Sequence, residues 1–334
     1  MEKLETRELM AGDVAASVMN GDLYLTEATG QAGLDNAVWI SKLFNGNIRV
    51  DGNFAPDGTR SHVNGQNFQE FAVTGKLFVN FGGGRDLVAF DGMSKPVFQE
   101  VNIDVGASTA VGNSDDDDVM IWGAVSRGNM NINTGAGEDW VYVTGADIGT
   151  MTNRASLTIN SGAGADEVDV ESLSNVLYGD LDIQTYATVT ETDADLVNLE
   201  DVTMTGDLRI RLGGGDDNLL ATIVSAYDDI DINTGAGKDT AKLDYVNALD
   251  DLMARMGDGD DRLEIYHSTA ADFIADGEGG SDSIWTRSAS GLPRFTNSFG
   301  TSTLSNWEWV NGVRPWLFEP IQVKPIVGFP VIRF

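Results

Sequence analysis

The sequence predicts an all-β chain wound as a right-handed parallel β-helix, a solenoid of three short strands per coil of about 22 residues. Three observations predict it. A G-x-G-x-D motif recurs as NFGGGRD ending at Asp86, NTGAGED at Asp139, NSGAGAD at Asp166, RLGGGDD at Asp217, NTGAGKD at Asp239 and RMGDGDD at Asp261. Its spacing is regular: Asp195, Asp217, Asp239 and Asp261 stand 22 residues apart, a period that marks solenoids. Pairs of apolar residues keep step with the aspartate and alternate with polar ones, as half-buried strands do.

Taken in chain order, residues 1–20 read as an N-terminal cap, 21–291 as the β-helix, 292–314 as a C-terminal cap and 315–334 as an extended apolar tail. Within the helix, weaker copies of the motif are GQAGLD at Asp35, SDDD at Asp117, TDAD at Asp195 and GEGGSD at Asp282. The longer intervals, 27 residues from Asp139 to Asp166, 29 to Asp195 and 31 from Asp86 to Asp117, imply loop insertions. The stretch from Asp35 to Asp86 is too long for one plain coil.

The first strand of a coil is marked nine and seven positions before the aspartate by Leu77/Val79, Met130/Ile132, Leu157/Ile159, Leu208/Ile210 and Ile230/Ile232. A second follows it at Val141/Val143, Val168/Val170, Val197/Leu199 and Leu263/Ile265, and a third at Ala146/Ile148, Val224/Ala226 and Val246/Ala248. These segments are rich in Val, Ile and Thr and carry no helical periodicity.

The repeated corner has a physical logic. Glycine adopts the positive φ that a sharp turn demands, and aspartate folds its carboxylate back onto main-chain N–H groups. Stacking sets equivalent carboxylates about 4.8 Å apart, where like charges either raise each other's pKa or recruit a cation. Asp86, Asp139, Asp166, Asp217, Asp239, Asp261 and Asp282 are therefore the candidate metal ligands, with calcium the expected ion because it takes six to eight oxygens at tolerant geometry. The alternative is that they only close turns. GGGDDNL from Gly213 to Leu219 and GDGDDRL from Gly257 to Leu263 resemble the G-G-x-G-x-D repeat of the haemolysin-type, or RTX, calcium-binding family. That resemblance implies calcium held between stacked turns by the aspartate and turn carbonyls. The family repeats its nonapeptide in tandem, whereas here one copy occurs per coil.

Composition narrows the functions. With 21 basic and 52 acidic residues the net charge is −31, which repels nucleic acid and anionic membranes and favours cations. The absence of cysteine excludes disulfides and thiolate chemistry, and His62 and His267 are too few for a multi-histidine metal centre. No apolar run is long enough to span a bilayer. A phosphate loop is disfavoured, since the glycines precede no helix and stand beside acids. Arg209, Arg211, Asp229 and Asp231 could line a cleft and Trp140, Tyr142 and Trp285 could stack on sugars, but cross-strand charge pairing and ordinary surface aromatics are the simpler reading. No catalytic residues are expected.

The N-terminus, MEKLETRELMAGDV, resembles the segment that opens many large planctomycete surface and extracellular proteins, matching it at Leu4, Glu5, Arg7, Leu9, Met10, Ala11, Gly12, Asp13 and Val14. The resemblance implies export, although a basic-apolar leader is missing. In the tail, Pro315, Pro320, Pro325 and Pro330 recur every five residues among Ile321, Val323, Ile326, Val327, Phe329, Val331, Ile332 and Phe334. Proline at that spacing excludes helix, and the apolar residues require a cover, either the chain's own tube or a neighbouring protomer. The expected function is that of a secreted or cell-surface structural protein. It would form a homo-oligomer or filament through the tail and coil ends, with calcium as stabiliser and cell-surface polysaccharide as a further partner. The alternative is a carbohydrate-active β-helix enzyme or adhesin.

Overall fold

The computed structural model describes residues 12–30, 33–55, 58–106, 115–173 and 175–287, with two further strands at Ser302–Ser305 and Trp309–Val310. The N-terminal segment before residue 12 and the tail at 315–334 lie outside the described residues. Every regular element described is a β-strand. Parallel strands from successive coils build two long sheets, so the chain is the expected β-helix solenoid.

The start of the solenoid is antiparallel. Val14–Met19 pairs with Asp22–Glu27 through Asn20 and Gly21, both left-handed at φ 53° and 90°, the primed turn that Asn-Gly favours. Ala37–Lys42, Ile48–Gly52 and Phe68–Phe71 then form an antiparallel meander. This meander fills the long interval between Asp35 and Asp86, and the antiparallel region runs well past residue 20.

From Leu77 onward the coils are regular. The first sheet stacks Leu77–Asn80, Val101–Asp104, Met130–Asn133, Leu157–Asn160, Leu181–Gln184, Leu208–Arg211, Ile230–Asn233, Asp251–Arg255 and Asp272–Asp276. In register, Leu77, Val101, Met130, Leu157, Leu181, Leu208, Ile230 and Leu252 form one inward column. The second sheet places Val88, Val119, Val141, Val168, Val197, Leu219, Ala241 and Leu263 opposite. All of these are buried, as is each of the apolar pairs read from the sequence. Burying one such large aliphatic side chain contributes about 1.5–3 kcal/mol, and every coil repeats the gain.

The third side takes two forms. Val97–Phe98, Val125–Ser126 and Asp147–Ile148 make a separate three-stranded ladder. In later coils the second and third strands merge into the nine-residue strands Leu196–Met204, Asn218–Ala226 and Thr240–Ala248. Each bends at one left-handed residue, Asp201, Ile223 or Tyr245, with φ between 54° and 57°. A single residue of positive φ re-aims the chain while pairing continues on both sides of it.

Candidate functional site

The glycine corner is closed by main chain. Gly213 and Gly235 have φ near 105° and 103°, and a Cβ on Gly235 would sit 1.6 Å from the Gly213 carbonyl oxygen, so side chains are excluded where coils touch. The Gly213 carbonyl accepts the Ala236 N–H at 2.9 Å, and the Gly235 carbonyl accepts that of Asp258 at 2.9 Å. These turn carbonyls are thereby committed to holding coil on coil.

The aspartate that follows the corner forms a continuous ladder. The Asn36 N–H donates to Asp86 Oδ1 at 2.6 Å, Asp86 N–H to Asp117 at 2.6 Å, Asp117 to Asp139 at 2.8 Å and Asp139 to Asp166 at 3.0 Å. Asp166 donates to Asp195 at 2.9 Å, Asp195 to Asp217 at 2.8 Å, Asp217 to Asp239 at 3.0 Å, Asp239 to Asp261 at 2.8 Å and Asp261 to Asp282 at 3.0 Å. All seven candidate ligands thus lie in one row, together with Asp117 and Asp195. The ladder starts at Asn36, so the expected copy at Asp35 is displaced by one residue. Asp35 instead belongs to an outer row in which Asp35, Asp116, Asp216 and Asp260 accept N–H groups of Arg85, Glu138, Lys238 and Ser281.

The inner row is buried, with its members at most 4 % exposed. Oδ1 is occupied by the N–H of the coil before, while Oδ2 of Asp86, Asp117, Asp139, Asp166, Asp217, Asp239 and Asp261 is buried without a hydrogen bond. Asp195 differs, its Oδ2 accepting from the Thr185 hydroxyl at 2.5 Å. Burial therefore pushes the carboxyls up: Asp139, Asp195 and Asp217 to about 7, Asp86 and Asp261 to about 8, Asp166 to about 9 and Asp117 to about 11. The N–H bonds oppose the shift without cancelling it. Asp195 apart, the row from Asp86 to Asp261 offers a cation one oxygen per coil. Its evident work is to close the corner.

A second carboxylate ladder, outside the G-x-G-x-D repeat, runs along the entrance to the first sheet. Here the bond points the other way: Asp207 N–H donates to Asp180 Oδ1 at 3.0 Å, Asp229 to Asp207 at 3.1 Å and Asp251 to Asp229 at 3.0 Å. This corner, unlike the first, opens to solvent. Asp207, Asp228 and Asp229 bring three carboxylate oxygens within 4.8 Å of one another, and Asp229, Asp250 and Asp251 do the same. Asp228 is raised, chiefly by the charge of Asp207, and Asp251 by burial and then by Asp250 and Asp229. These acidic clusters are able to hold a metal ion. The sequence signal that could have found them is the Asp-Asp pair at 228–229 and again at 250–251, one coil apart.

The remaining candidates are held by neighbours. Arg209 pairs with Asp207, Arg211 with Asp182 at 2.9 Å and Arg255 with Asp231 at 2.9 Å. Trp140 donates to Asp169 at 3.2 Å and Tyr142 to Glu171 at 3.1 Å, each in the next coil, while Arg262 lies over Trp285. His267 Nδ1 is 2.8 Å from Asp244 and its ring stacks on Tyr245, and His62 is 3.4 Å from Asp13. Beneath the inserted loop after Thr185, a groove of about 240 Å³ is lined by Tyr186, Arg211, Asn233, Asp258 and Glu278. Comparison with protein-family models, with curated proteins and with solved structures finds no match to this chain.

Proposed function

We propose that this chain is a non-catalytic structural rod of the cell surface or surrounding medium, rigidified by calcium along one acidic corner and assembling with copies of itself. The observation that carries the reading is the pair of carboxylate triads sharing Asp229, open to solvent and spaced by one coil. Calcium suits such a corner because carboxylates can supply part of a six- to eight-oxygen shell and water the rest. The net charge of −31 favours cation uptake, and the resemblance of residues 4–14 to the opening segment of surface proteins supports the location. A role without catalysis is supported by the ion pairs that hold Arg209, Arg211 and Arg255.

Thermal melts in calcium and in chelator test the metal. A calcium concentration 100-fold above Kd is expected to stabilise by about 2.7 kcal/mol, and Asp229→Asn, which touches both triads, is expected to remove most of the shift. Identical melting temperatures with and without calcium remove the claim. Sedimentation at rising concentration tests assembly, which a strictly monomeric chain contradicts. The groove at Tyr186 favours a second reading, polysaccharide binding; retention on a polysaccharide column that Tyr186→Ala abolishes would support it.

A further inference from the structure

Six residues past each ladder aspartate from Asp117 to Asp261 the chain takes a left-handed corner. The residues there are Gly123, Gly145, Ser172, Asp201, Ile223, Tyr245 and His267, all with φ between 43° and 77°. Glycine and aspartate tolerate this conformation, whereas a β-branched or bulky residue there is a genuine outlier. Yet two successive coils place Ile223 and Tyr245 in it and leave both about half exposed, at 52 % and 51 %. Across the narrow third side stand Tyr227 and Leu249, exposed at 57 % and 68 %. The four apolar side chains flank Ser225 and Asn247, and the exposed acids Asp228 and Asp250 adjoin them. Backbone strain thus accompanies an apolar patch with an acidic border.

The chain carries a segment of complementary chemistry. After residue 314 the sequence is dominated by Trp316, Leu317, Phe318, Ile321, Val323, Ile326, Val327, Phe329, Val331, Ile332 and Phe334. Lys324 and Arg333 outnumber the single acid Glu319, in a protein whose net charge is −31. The place where the segment begins also fits. Val310 pairs with Ile284 in the second sheet, three strands from Thr240–Ala248 and four from Asn218–Ala226, so Val310 stands about 14 to 19 Å along the stack from the two coils of the patch. Extended chain covers about 3.1 Å per residue, so the ten residues from 311 to 320 suffice to bring Ile321 there. A tether of that length gives an effective concentration of order millimolar, which favours the same chain over a second copy.

We propose that residues 321–334 dock on their own rod, over Ile223, Tyr227, Tyr245 and Leu249, with Lys324 and Arg333 answering Asp228 and Asp250. The proposal does not require calcium at the triads, although Lys324 and Arg333 would share Asp228 and Asp250 with it, and it assigns the tail a role inside the protomer.

Hydrogen exchange on the full chain tests it. Amides between Ile321 and Ile332 are expected to exchange at least tenfold slower than an unstructured segment, independently of protein concentration. The double variant Ile223→Asn, Tyr245→Asn places an αL-tolerant residue at both corners and so spares the fold. It is expected to return the tail to unstructured rates while the amides of Leu208–Arg211 keep their protection. Unprotected tail amides in the wild-type chain overturn the proposal, and so does protection that the variant leaves intact. Protection that grows with protein concentration overturns it in favour of docking on a second copy. A calcium-insensitive melt, by contrast, leaves it untouched.

Discussion

At the scale of the residue, the ladder aspartates act as main-chain acceptors that reach from one coil to the one before. Asp217 receives the buried N–H of Asp195, so Asp217→Ala leaves that donor unpaired and is expected to lower stability by about 1–3 kcal/mol in urea unfolding. Asp217→Asn keeps the acceptor oxygen and removes a carboxyl that burial already disfavours as an anion. Its expected cost is below that of alanine at pH 5, and at pH 8 it stabilises. The sequence disclosed which residues these are, because the Asx-turn logic selects aspartate after a glycine corner. It did not disclose their partner, since the bond spans 22 residues and periodicity carries no sign of its direction. Nor did it disclose that the carboxylates best placed for a cation are Asp207, Asp228, Asp229, Asp250 and Asp251. That contrast is set by solvent exposure, which two aspartates in a row do not encode.

At the scale of the element, legibility followed the regularity of the coil. Pairs such as Leu208/Ile210 and Ile230/Ile232 stood at fixed offsets from the aspartate and are buried neighbours in register. Val101/Ile103 and Leu181/Ile183 occupy the same columns but fall out of phase, because the inserted residues lie between their strand and the corner. Leu252/Ala254 keep the phase, yet alanine weakens the branched-residue signal. The antiparallel start was announced by Asn-Gly turns outside the repeat, at Asn20-Gly21, Asn45-Gly46 and Asn64-Gly65. Because one coil is the unit of pairing, deleting residues 218–239 joins Asp217 to Thr240 and restores every register it cuts. The shortened rod is expected to keep its β circular dichroism and a cooperative melt. Deleting only 218–228 places a first-sheet strand where a second-sheet strand is needed, and is expected to abolish cooperative unfolding.

At the scale of the whole molecule, the buried row makes the rod's stability a function of pH. Carboxyls from Asp86 to Asp261 titrate in the folded chain at about 7 or above where the value is resolved, against about 3.9 for an unperturbed aspartate. The folded state therefore binds more protons than the unfolded state from about pH 4 upward. The stabilisation is fully present below the unfolded value and is lost as pH rises through the folded ones. Glu100, lowered by its bond to Lys76, contributes in the opposite sense, but it is one partly exposed carboxylate against a buried row. Self-repulsion at a net charge of −31 is also relieved by acid, so both effects carry the same sign. The melting temperature in chelator is accordingly expected to fall between pH 5 and pH 9, with a shallower slope in Asp217→Asn. A melting temperature that rises over that interval would mean that the row is ionised in the folded rod. Carboxylates stacked one coil apart and shut away from water can be ionised together only if a cation is buried among them. The same pH series repeated with calcium in place of chelator, on the Asp229→Asn rod whose triads are broken, thus decides whether the glycine-aspartate corner is held by protons or by metal.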